Sequence, residues 1–187
     1  RGLSGRDSIR VEPFDVSAVC AGIDLGFMRR ALEAGGRVYA IKVAGVAGLA
    51  QHRTQPDTTF LDELSGRVRV IACLDEAPLV LPGAALPEFP DRYRVLERLR
   101  KRLDLAAGDD FFVVCGPEED CLTAAEEIRI RFADATQGGP RETRQALSGG
   151  FTTFERLLPG PDRMYPDTDS PPTRVTAERV AEIRARL

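Results

Sequence analysis

The side chains best suited to chemistry are concentrated in the proline-rich stretch LLPGPDRMYPDTDSPP, at residues 157–172. Five prolines fix the backbone φ angle there, so polar side chains can be held in place without a large core beneath them. Carboxylates held this way can give oxygen ligands to a Mg²⁺-bound nucleotide, or can cap turns by accepting backbone hydrogen bonds. Chemistry alone favours turn capping. The polar side chains of the stretch are Asp162, Arg163, Tyr165, Asp167 and Asp169.

A second group of candidates lies in the helix predicted over DRYRVLERLRKRLD, residues 91–104. Its spacing predicts Tyr93, Leu96, Leu99 and Leu103 on the apolar face. The opposite face is cationic, and it can either contact nucleic-acid phosphates or simply be solvated. The proposed contact residues are Arg94, Arg98, Lys101 and Arg102.

Other sites are not indicated. The sequence has no G-x-G-x-x-G, GxxxxGK[ST] or G-x-S-x-G motif, and His52 is its only histidine. We expect His52 at the surface, and we expect the charged DELSGR stretch (residues 62–67), Arg129 and Arg131 on solvated helix faces.

The cysteines form no CxxC pair, so we expect no metal site and a reducing, cytoplasmic location. Small buried thiols are expected at Cys73 and Cys115, inside apolar runs.

Composition limits the possible classes of protein. A net charge of −3 and a pI near 5.4 exclude a generic nucleic-acid coat but leave room for a local basic patch. The 187 residues, 43% of them hydrophobic, are enough for one domain with extensions. No apolar run is long enough to span a bilayer, so no membrane partner is expected. The chain starts at Arg1 rather than Met, which favours a segment of a longer protein.

The predicted elements mix helices and strands without strict alternation. This order favours an α+β two-layer sandwich, with an antiparallel or mixed sheet and helices on one face, and a separate Pro-rich tail from Phe151 onward. The predicted elements are a short β-prone segment (8–19), a helix capped by Asp24 (24–36), a strand (37–45), one or two helical turns (59–66), a strand (67–75), the cationic helix (91–104), a central strand (109–116), a helix that begins after Pro117 and ends near Gln137, a short helix (140–150) and a final helix capped by Thr176.

The proline-rich stretch resembles a motif of GatE, a component of the archaeal-type Glu-tRNA(Gln) amidotransferase that belongs to the GatB/GatE family. That motif runs roughly P-L-P-G-A-A-R-M-Y-P-E-T-D-x-P-P. Collinear likenesses occur in FDVSAV, ALEAGGRVYAIKVAGVAGL, LDEAP and PRETRQALSGGFTTFERLLPG. The residues that match the motif are Pro159, Gly160, Arg163, Met164, Tyr165, Pro166, Thr168, Asp169, Pro171 and Pro172.

The resemblance implies a domain organisation and an activity. Residues 1–19 would end an upstream cradle segment, 20–148 would form a GAD domain (a GAD/DCoH-like two-layer unit), 149–172 would return to the cradle and 173–187 would begin a helical segment. The parent protein would be a ligase subunit that uses ATP, Mg²⁺ and amide-derived ammonia to convert Glu-tRNA(Gln) to Gln-tRNA(Gln). Its partners would be tRNA and a GatD-like, asparaginase-related subunit, and it could form a homodimer. Arg163, Tyr165, Asp167 and Asp169 would support the kinase site, while the segment alone would bind no cofactor and be inactive.

The sequence also departs from the family pattern. A basic run after AGL is replaced by AQHRTQPDTTFLDE, which keeps Gln55-Pro56, and an aromatic-histidine pair is replaced by Ala72-Cys73. These changes leave two alternatives open: a non-catalytic interaction module of a divergent GatE-like protein, or the GAD insertion of an aspartyl-tRNA synthetase. The proline-rich motif argues against the synthetase.

Overall fold

The computed structural model describes residues 9–74, 78–158 and 174–186. The described residues up to Leu157 form one unit, and those from Leu158 onward belong to a second. The mixture of helices and antiparallel strands confirms the α+β class. In chain order the elements are β1 (Val11–Asp15), α1 (Ser17–Cys20), α2 (Gly26–Glu33), β2 (Arg37–Val43), β3 (Arg53–Gln55), β4 (Thr58–Thr59), α3 (Phe60–Ile71), β5 (Leu81–Pro82), α4 (Arg92–Leu103), β6 (Asp110–Gly116), α5 (Glu118–Gln137), β7 (Glu142–Ala146), β8 (Thr152–Leu157) and α6 (Ala177–Arg184).

The centre of the first unit is a four-stranded antiparallel sheet with the order β1-β2-β6-β5. Strand β6, predicted as central from its unbroken apolar run, lies between β2 and β5. The predicted β-prone segment near the start of the chain becomes β1, which pairs with β2 along its whole length. Two separate hairpins, β3-β4 and β7-β8, complete the strands of the described residues.

Helices cover both faces of this sheet. Side chains alternate across a strand, so Ala40 points to one face of β2 and Ile41 to the other. Ile41 belongs to a core built with α3 and α5, where the Phe132 ring packs against Phe60 and Phe112 at centroid distances of 5.0 and 5.7 Å. Ala40 belongs to a second core built with α1, α2 and α4. The expectation of a two-layer unit with helices on one face is therefore wrong, because the sheet forms a middle layer.

Residues 67–71 of the strand predicted over residues 67–75 instead form the second half of helix α3, which ends at Ile71. Its β-branched residues favour a strand locally, but the helix is already set at its first turn. There the Thr59 hydroxyl accepts a hydrogen bond from the Asp62 amide at 3.3 Å, and the Asp62 carboxylate accepts one from the Thr59 amide at 2.7 Å. Leu64 and Val68 then fall four residues apart and are fully buried, as the packed face of a helix requires.

The short helix predicted over residues 140–150 is instead the β7-β8 hairpin. Gly149 and Gly150, predicted as helix stops, adopt φ angles of 81° and 83° in the turn, a conformation that glycine adopts without strain. Phe154 of β8 is buried, and β8 contacts α3. Residues 152–157 were expected to belong to the tail, but they lie in the first unit.

Helices α2, α4, α5 and α6 confirm the sequence predictions, with two local corrections, whereas α1 (Ser17–Cys20) lies at the end of the segment predicted as β-prone. Helix α2 begins after Leu25, and Asp24 does not cap it, because its Oδ1 accepts from the Arg29 guanidinium at 2.8 Å. On α4 the buried residues are Val95, Leu99 and Leu103, whereas Tyr93 is 75% exposed. In the second unit the Thr176 hydroxyl caps α6 as predicted, accepting from the Arg179 amide at 3.2 Å. In the described part of the chain, no helix has the length and apolar character needed to cross a membrane.

Candidate functional site

A strip of cations runs along the outer face of α4. The helix is fixed to the sheet by its apolar side, so the side chains on its opposite face point to solvent. Positions i, i+4, i+7 and i+8 lie on neighbouring parts of one helix face. The residues at these positions are all exposed, and they define the cationic strip: Arg94, Arg98, Lys101 and Arg102. The structure thus brings together the four residues proposed from the sequence, while their role stays a prediction.

The side-chain charges of the cationic strip are not paired within α4. Some exposed arginines on other helices form ion pairs on their own helix, as in Arg129–Glu126 at 2.7 Å and Arg179–Glu182 at 3.4 Å, whereas Arg69 and Arg184 form none with a described residue. None of the four strip side chains forms an ion pair or hydrogen bond with any residue that the structure describes. Helix α4 carries six cations and a single carboxylate, Glu97, in twelve residues. The strip is therefore a locally positive surface without ion pairs to described residues, on a chain of net charge −3.

Arg92, at the start of the same helix, is not part of this surface. Its Nε donates to the Leu86 carbonyl oxygen at 2.8 Å, and its Nη1 lies 3.1 Å from the Glu88 carboxylate. Its guanidinium also lies 5.7 Å from the centroid of the Tyr93 ring. Through these contacts Arg92 holds the loop before α4 in place. The first cation of α4 that is available to an external partner is therefore Arg94.

A groove of about 380 Å³ opens beside the N-terminal half of the strip. Arg94 and Arg98 form part of its wall, so the groove and the strip share two guanidinium groups. The other wall comes from the turn that joins α1 to α2. Besides the two arginines, the groove is lined by Ala18, Val19, Gly22, Ile23, Asp24, Pro90, Asp91 and Val95.

A second cavity, of about 480 Å³, lies where β6 ends and α5 begins. Leu74 and Pro78, the ends of the LDEAP segment, line it; residues 75–77 between them lie outside the described residues. Cys73 also lines it. The cavity wall is mostly apolar, with Arg30 and Glu118 as its charged members.

A buried network of ion pairs connects α3, α5 and the β7-β8 hairpin. The charged stretch at residues 62–67 and Arg131 were expected on solvated faces, and this expectation is wrong for three of these residues. Arg67 is 2% exposed and bonds Glu127 at 2.7 Å, while Arg131 bonds Glu63 at 2.7 Å. The Arg131 guanidinium also lies 4.7 Å from the Phe60 centroid. The network is complete in its hydrogen bonds, since no buried polar side-chain atom among the described residues lacks a partner.

The hairpin joins this network through polar contacts. Glu142 lies 3.5 Å from the Arg67 guanidinium, and Arg144 lies 3.3 Å from Glu63. The Gln55 amide side chain pairs with the backbone of Thr152, accepting from its amide and donating to its carbonyl oxygen, both at 2.8 Å. These bonds give Gln55 a structural role in holding the hairpin.

The pKa of Glu63 reflects this environment. Burial acts to raise it, but hydrogen bonds from Arg131 and Thr54 and the charge of Arg144 outweigh burial, so the pKa of Glu63 lies below 4.5. The same carboxylate is thus held ionised between two guanidinium groups.

The remaining candidates from the sequence are the side chains of the proline-rich stretch, His52 and Cys73. Arg163, Tyr165, Asp167 and Asp169 lie outside the described residues, so their support of a kinase site stays a prediction. His52 is exposed, as expected. Cys73 is exposed rather than buried, because the run that contains it ends a helix instead of forming a strand. Within the described ranges no cluster of three or more His, Cys, Asp or Glu side chains could hold a metal ion.

The fold and this surface define an α+β unit that presents a cationic helix. Comparison with known proteins shows which proteins the chain is related to. Over its full length the chain is 36% identical to the GatE component of the glutamyl-tRNA(Gln) amidotransferase of Methanopyrus kandleri, aligned over 189 residues, and covers 29% of that protein. It is 35% identical to the GatE protein of Pyrococcus furiosus, again over the full chain and 29% of the relative. For the GatE protein of Sulfurisphaera tokodaii the identity is 36% over 156 residues, 83% of this chain and 24% of the relative.

The chain is therefore related throughout its length to the GatE proteins of glutamyl-tRNA(Gln) amidotransferases, and the resemblance seen in the sequence is confirmed. It spans about 29% of the length of the curated relatives that match it end to end. No protein-family model matches the chain.

Proposed function

We propose that this chain is the RNA-contacting part of a GatE-like subunit of a tRNA-dependent amidotransferase, and that α4 is its contact surface. The observation that carries the proposal is the cationic strip, Arg94, Arg98, Lys101 and Arg102, whose side chains form no ion pair within the described part of the chain. Guanidinium and ammonium groups free of internal partners are suited to bind phosphates. The relatives carry tRNA in their name, which makes tRNA the polyanion that this surface would meet.

The proposed reaction of the parent protein is the conversion of Glu-tRNA(Gln) to Gln-tRNA(Gln) with ATP, Mg²⁺ and amide-derived ammonia. A GatD-like, asparaginase-related subunit would supply the ammonia, and the complex would act in the cytoplasm, with a homodimer of the parent as one possible assembly. Within it Arg163, Tyr165, Asp167 and Asp169 would support the kinase site from the proline-rich segment. The names of the relatives support the amidotransferase reaction.

The proposed organisation places a GAD insertion at residues 20–148, between a cradle segment at 1–19 and a return segment at 149–172, followed by a helical segment at 173–187. Strand β1 falls in the first segment and is hydrogen-bonded to β2. The end of the return hairpin, β8, is paired with β7. Both connections to the cradle would therefore share sheets with the insertion, which gives a physical means of holding the insertion against the cradle.

The chemistry and the RNA contact can be tested separately. Incubating the chain with ATP, Mg²⁺ and Glu-tRNA(Gln) should give no ATP hydrolysis, because the proposal assigns the catalytic groups to the parent protein. Turnover by the chain alone would contradict this division of labour.

The RNA contact is tested by a mobility-shift assay with unmodified tRNA at low and at raised salt. The wild-type chain should form a complex that salt weakens, and charge reversal at Arg98, Lys101 and Arg102 should abolish it. A matched triple reversal at Arg129, Arg156 and Arg184, which lie outside α4, should leave most of the binding. If both triple variants bind tRNA as the wild type does, α4 is not the contact surface.

A further inference from the structure

We infer that the groove beside α4 is a binding site for one unpaired nucleotide, with its phosphate held by Arg94 and Arg98 and its base in the groove. This inference rests on the proposed RNA-contacting role of α4 and deepens it. A flat cationic surface binds any phosphate backbone, whereas a groove next to it adds a requirement for a base that can leave its stack.

The first argument is the position of the groove. Arg94 and Arg98 belong both to the cationic strip and to the groove wall, so a backbone that follows the strip passes the mouth of the groove. Neither guanidinium forms an ion pair with a described residue, and both stay available for a phosphate. The volume of about 380 Å³ falls within the range of small-molecule sites.

The second argument is the chemistry of the lining. Ile23, Pro90 and Val95 provide apolar surface, on which the flat face of a base can pack. Two carboxylates, those of Asp24 and Asp91, lie in the same wall. A surface that only attracted phosphates would gain nothing from carboxylates, but a base with an exocyclic amino group can donate to one.

The third argument is that Asp91 is not used by its own helix. It occupies the N-cap position of α4, where an aspartate ordinarily accepts a hydrogen bond from the first turn, but its side chain makes no capping bond. Its backbone is left-handed, with φ 61° and ψ 16°. Its carboxylate has no hydrogen bond or ion pair to any residue of the described ranges, whereas Asp24 is bonded to Arg29 at 2.8 Å. Asp91 is thus the acceptor available to a base.

The class of ligand follows from these groups. Adenine, cytosine and guanine carry exocyclic amino donors, whereas uracil donates only through its ring N3–H, so we infer that an acceptor at Asp91 that meets the amino edge of the base favours the first three over uracil. The site therefore fits an unpaired amino-bearing nucleotide of an RNA loop or end, and not a continuous duplex, whose bases stay stacked.

A substitution at Gly22 can fill the groove without changing any cationic residue. It lines the groove, and a side chain at this position would meet no atom within 4 Å of its Cβ. The variant Gly22→Leu should therefore fold and occupy the groove. Gly139→Leu is the matched control, since Gly139 is exposed, equally unobstructed at Cβ and outside the groove.

The experiment measures binding of a fluorescent oligoadenylate and of a blunt RNA duplex with the same number of phosphates. Gly22→Leu should weaken oligoadenylate binding roughly tenfold, the range of one stacked base, and leave duplex binding unchanged. Gly139→Leu should change neither. Thermal unfolding and circular dichroism of each variant show whether the fold is kept.

A second variant tests the groove without depending on whether Gly22→Leu folds. Asp91→Asn retains a residue that tolerates the left-handed backbone, but its amide both donates and accepts, so the preference for oligoadenylate over oligouridylate should fall towards one. Unchanged oligoadenylate binding in Gly22→Leu, together with an unchanged base preference in Asp91→Asn, would contradict the inference that the groove binds a nucleotide. If charge reversal at Lys101 and Arg102 still weakens binding in that case, the RNA-contacting role of α4 stands without it. If that reversal has no effect either, both proposals are wrong.

Discussion

The Nε atom of Arg67 in α3 donates to Oε2 of Glu127 in α5 at 2.7 Å, and both side chains are almost completely buried. The same guanidinium lies 3.5 Å from Glu142 of β7. One arginine therefore connects two helices of the body with the hairpin that leads to the proline-rich segment. Buried charges are costly unless they are paired, so the arrangement of these elements depends on the network being complete.

Replacing Arg67 with Met should lower the free energy of unfolding by about 3–5 kcal/mol, because it leaves buried carboxylates without their cation. Urea denaturation followed by circular dichroism measures this. The matched control is Arg129→Met, since the Arg129–Glu126 pair is exposed, and its loss should cost roughly 0–1 kcal/mol. Equal losses in the two variants would contradict the stabilising role of the buried network.

Replacing Glu63 with Gln should change the pH dependence of stability. The pKa of Glu63 is lower in the folded protein than its ordinary value of 4.5, so its contribution is present above that pH and lost as the pH falls through the folded value. The gap in unfolding free energy between wild type and Glu63→Gln should therefore be largest at neutral pH and should narrow as the pH falls below the ordinary value of 4.5. Urea titrations across this pH range measure it; a gap independent of pH would contradict the charged role of Glu63.

Replacing Gln55 with Ala should loosen the β7-β8 hairpin without unfolding the body. Gln55 bonds both the amide and the carbonyl oxygen of Thr152, and it is the side chain that accepts from the Thr152 amide. The hairpin buries few apolar side chains, with Phe154 among them. Hydrogen exchange should speed up at the Thr152 amide by roughly tenfold, the effect of about one hydrogen bond, while amides of β6 stay protected. Uniform loss of protection in both regions would show that the hairpin is not a separable element.

The thiols should differ in their reaction with Ellman's reagent. Burial raises the pKa of Cys20 and of Cys121 to about 12, so both should stay unreactive until the protein unfolds. Cys73 is exposed and should react quickly in the native protein. The fast phase should disappear in Cys73→Ser and persist in Cys121→Ser. A fast phase of unchanged amplitude in Cys73→Ser would contradict the exposure of this thiol; Cys115, which is half-buried, is expected to react at an intermediate rate.

Local sequence patterns predicted the elements whose periodicity agrees with their packing. Helices α2, α4 and α5 and strands β2 and β6 were predicted because their apolar spacing matches the faces that they bury. The sequence did not predict the second half of α3, because its β-branched run favours a strand and the capping box that decides otherwise lies eight residues upstream, at Thr59. The helix prediction at residues 140–150 was wrong for a related reason. Strand β7, which lies there, forms by pairing with β8, and β8 comes later in the chain.

The candidate site likewise has one part that the sequence predicts and one part that it does not. The cationic strip was predictable because it depends on one helix, whose phase follows from Leu99 and Leu103. The buried ion network was not, because its partners are distant in sequence: Arg67 and Glu127 are separated by 60 residues, and Arg144 and Glu63 by 81. Without those contacts a charged helix stretch resembles a solvated one. The groove likewise needs Gly22 and Pro90 side by side, which no local pattern shows.

The salt dependence of tRNA binding tests the central claim most directly. Each cation that contacts a phosphate adds about 0.7–0.9 to the slope of log K against log salt concentration, so Ala substitutions at Arg98, Lys101 and Arg102 should reduce that slope by roughly 2–3. Ala substitutions at Arg129, Arg156 and Arg184 should leave the slope unchanged. A slope reduced only by the α4 variant confirms that this helix contacts the RNA backbone. The same slope in wild type and the α4 variant would contradict it.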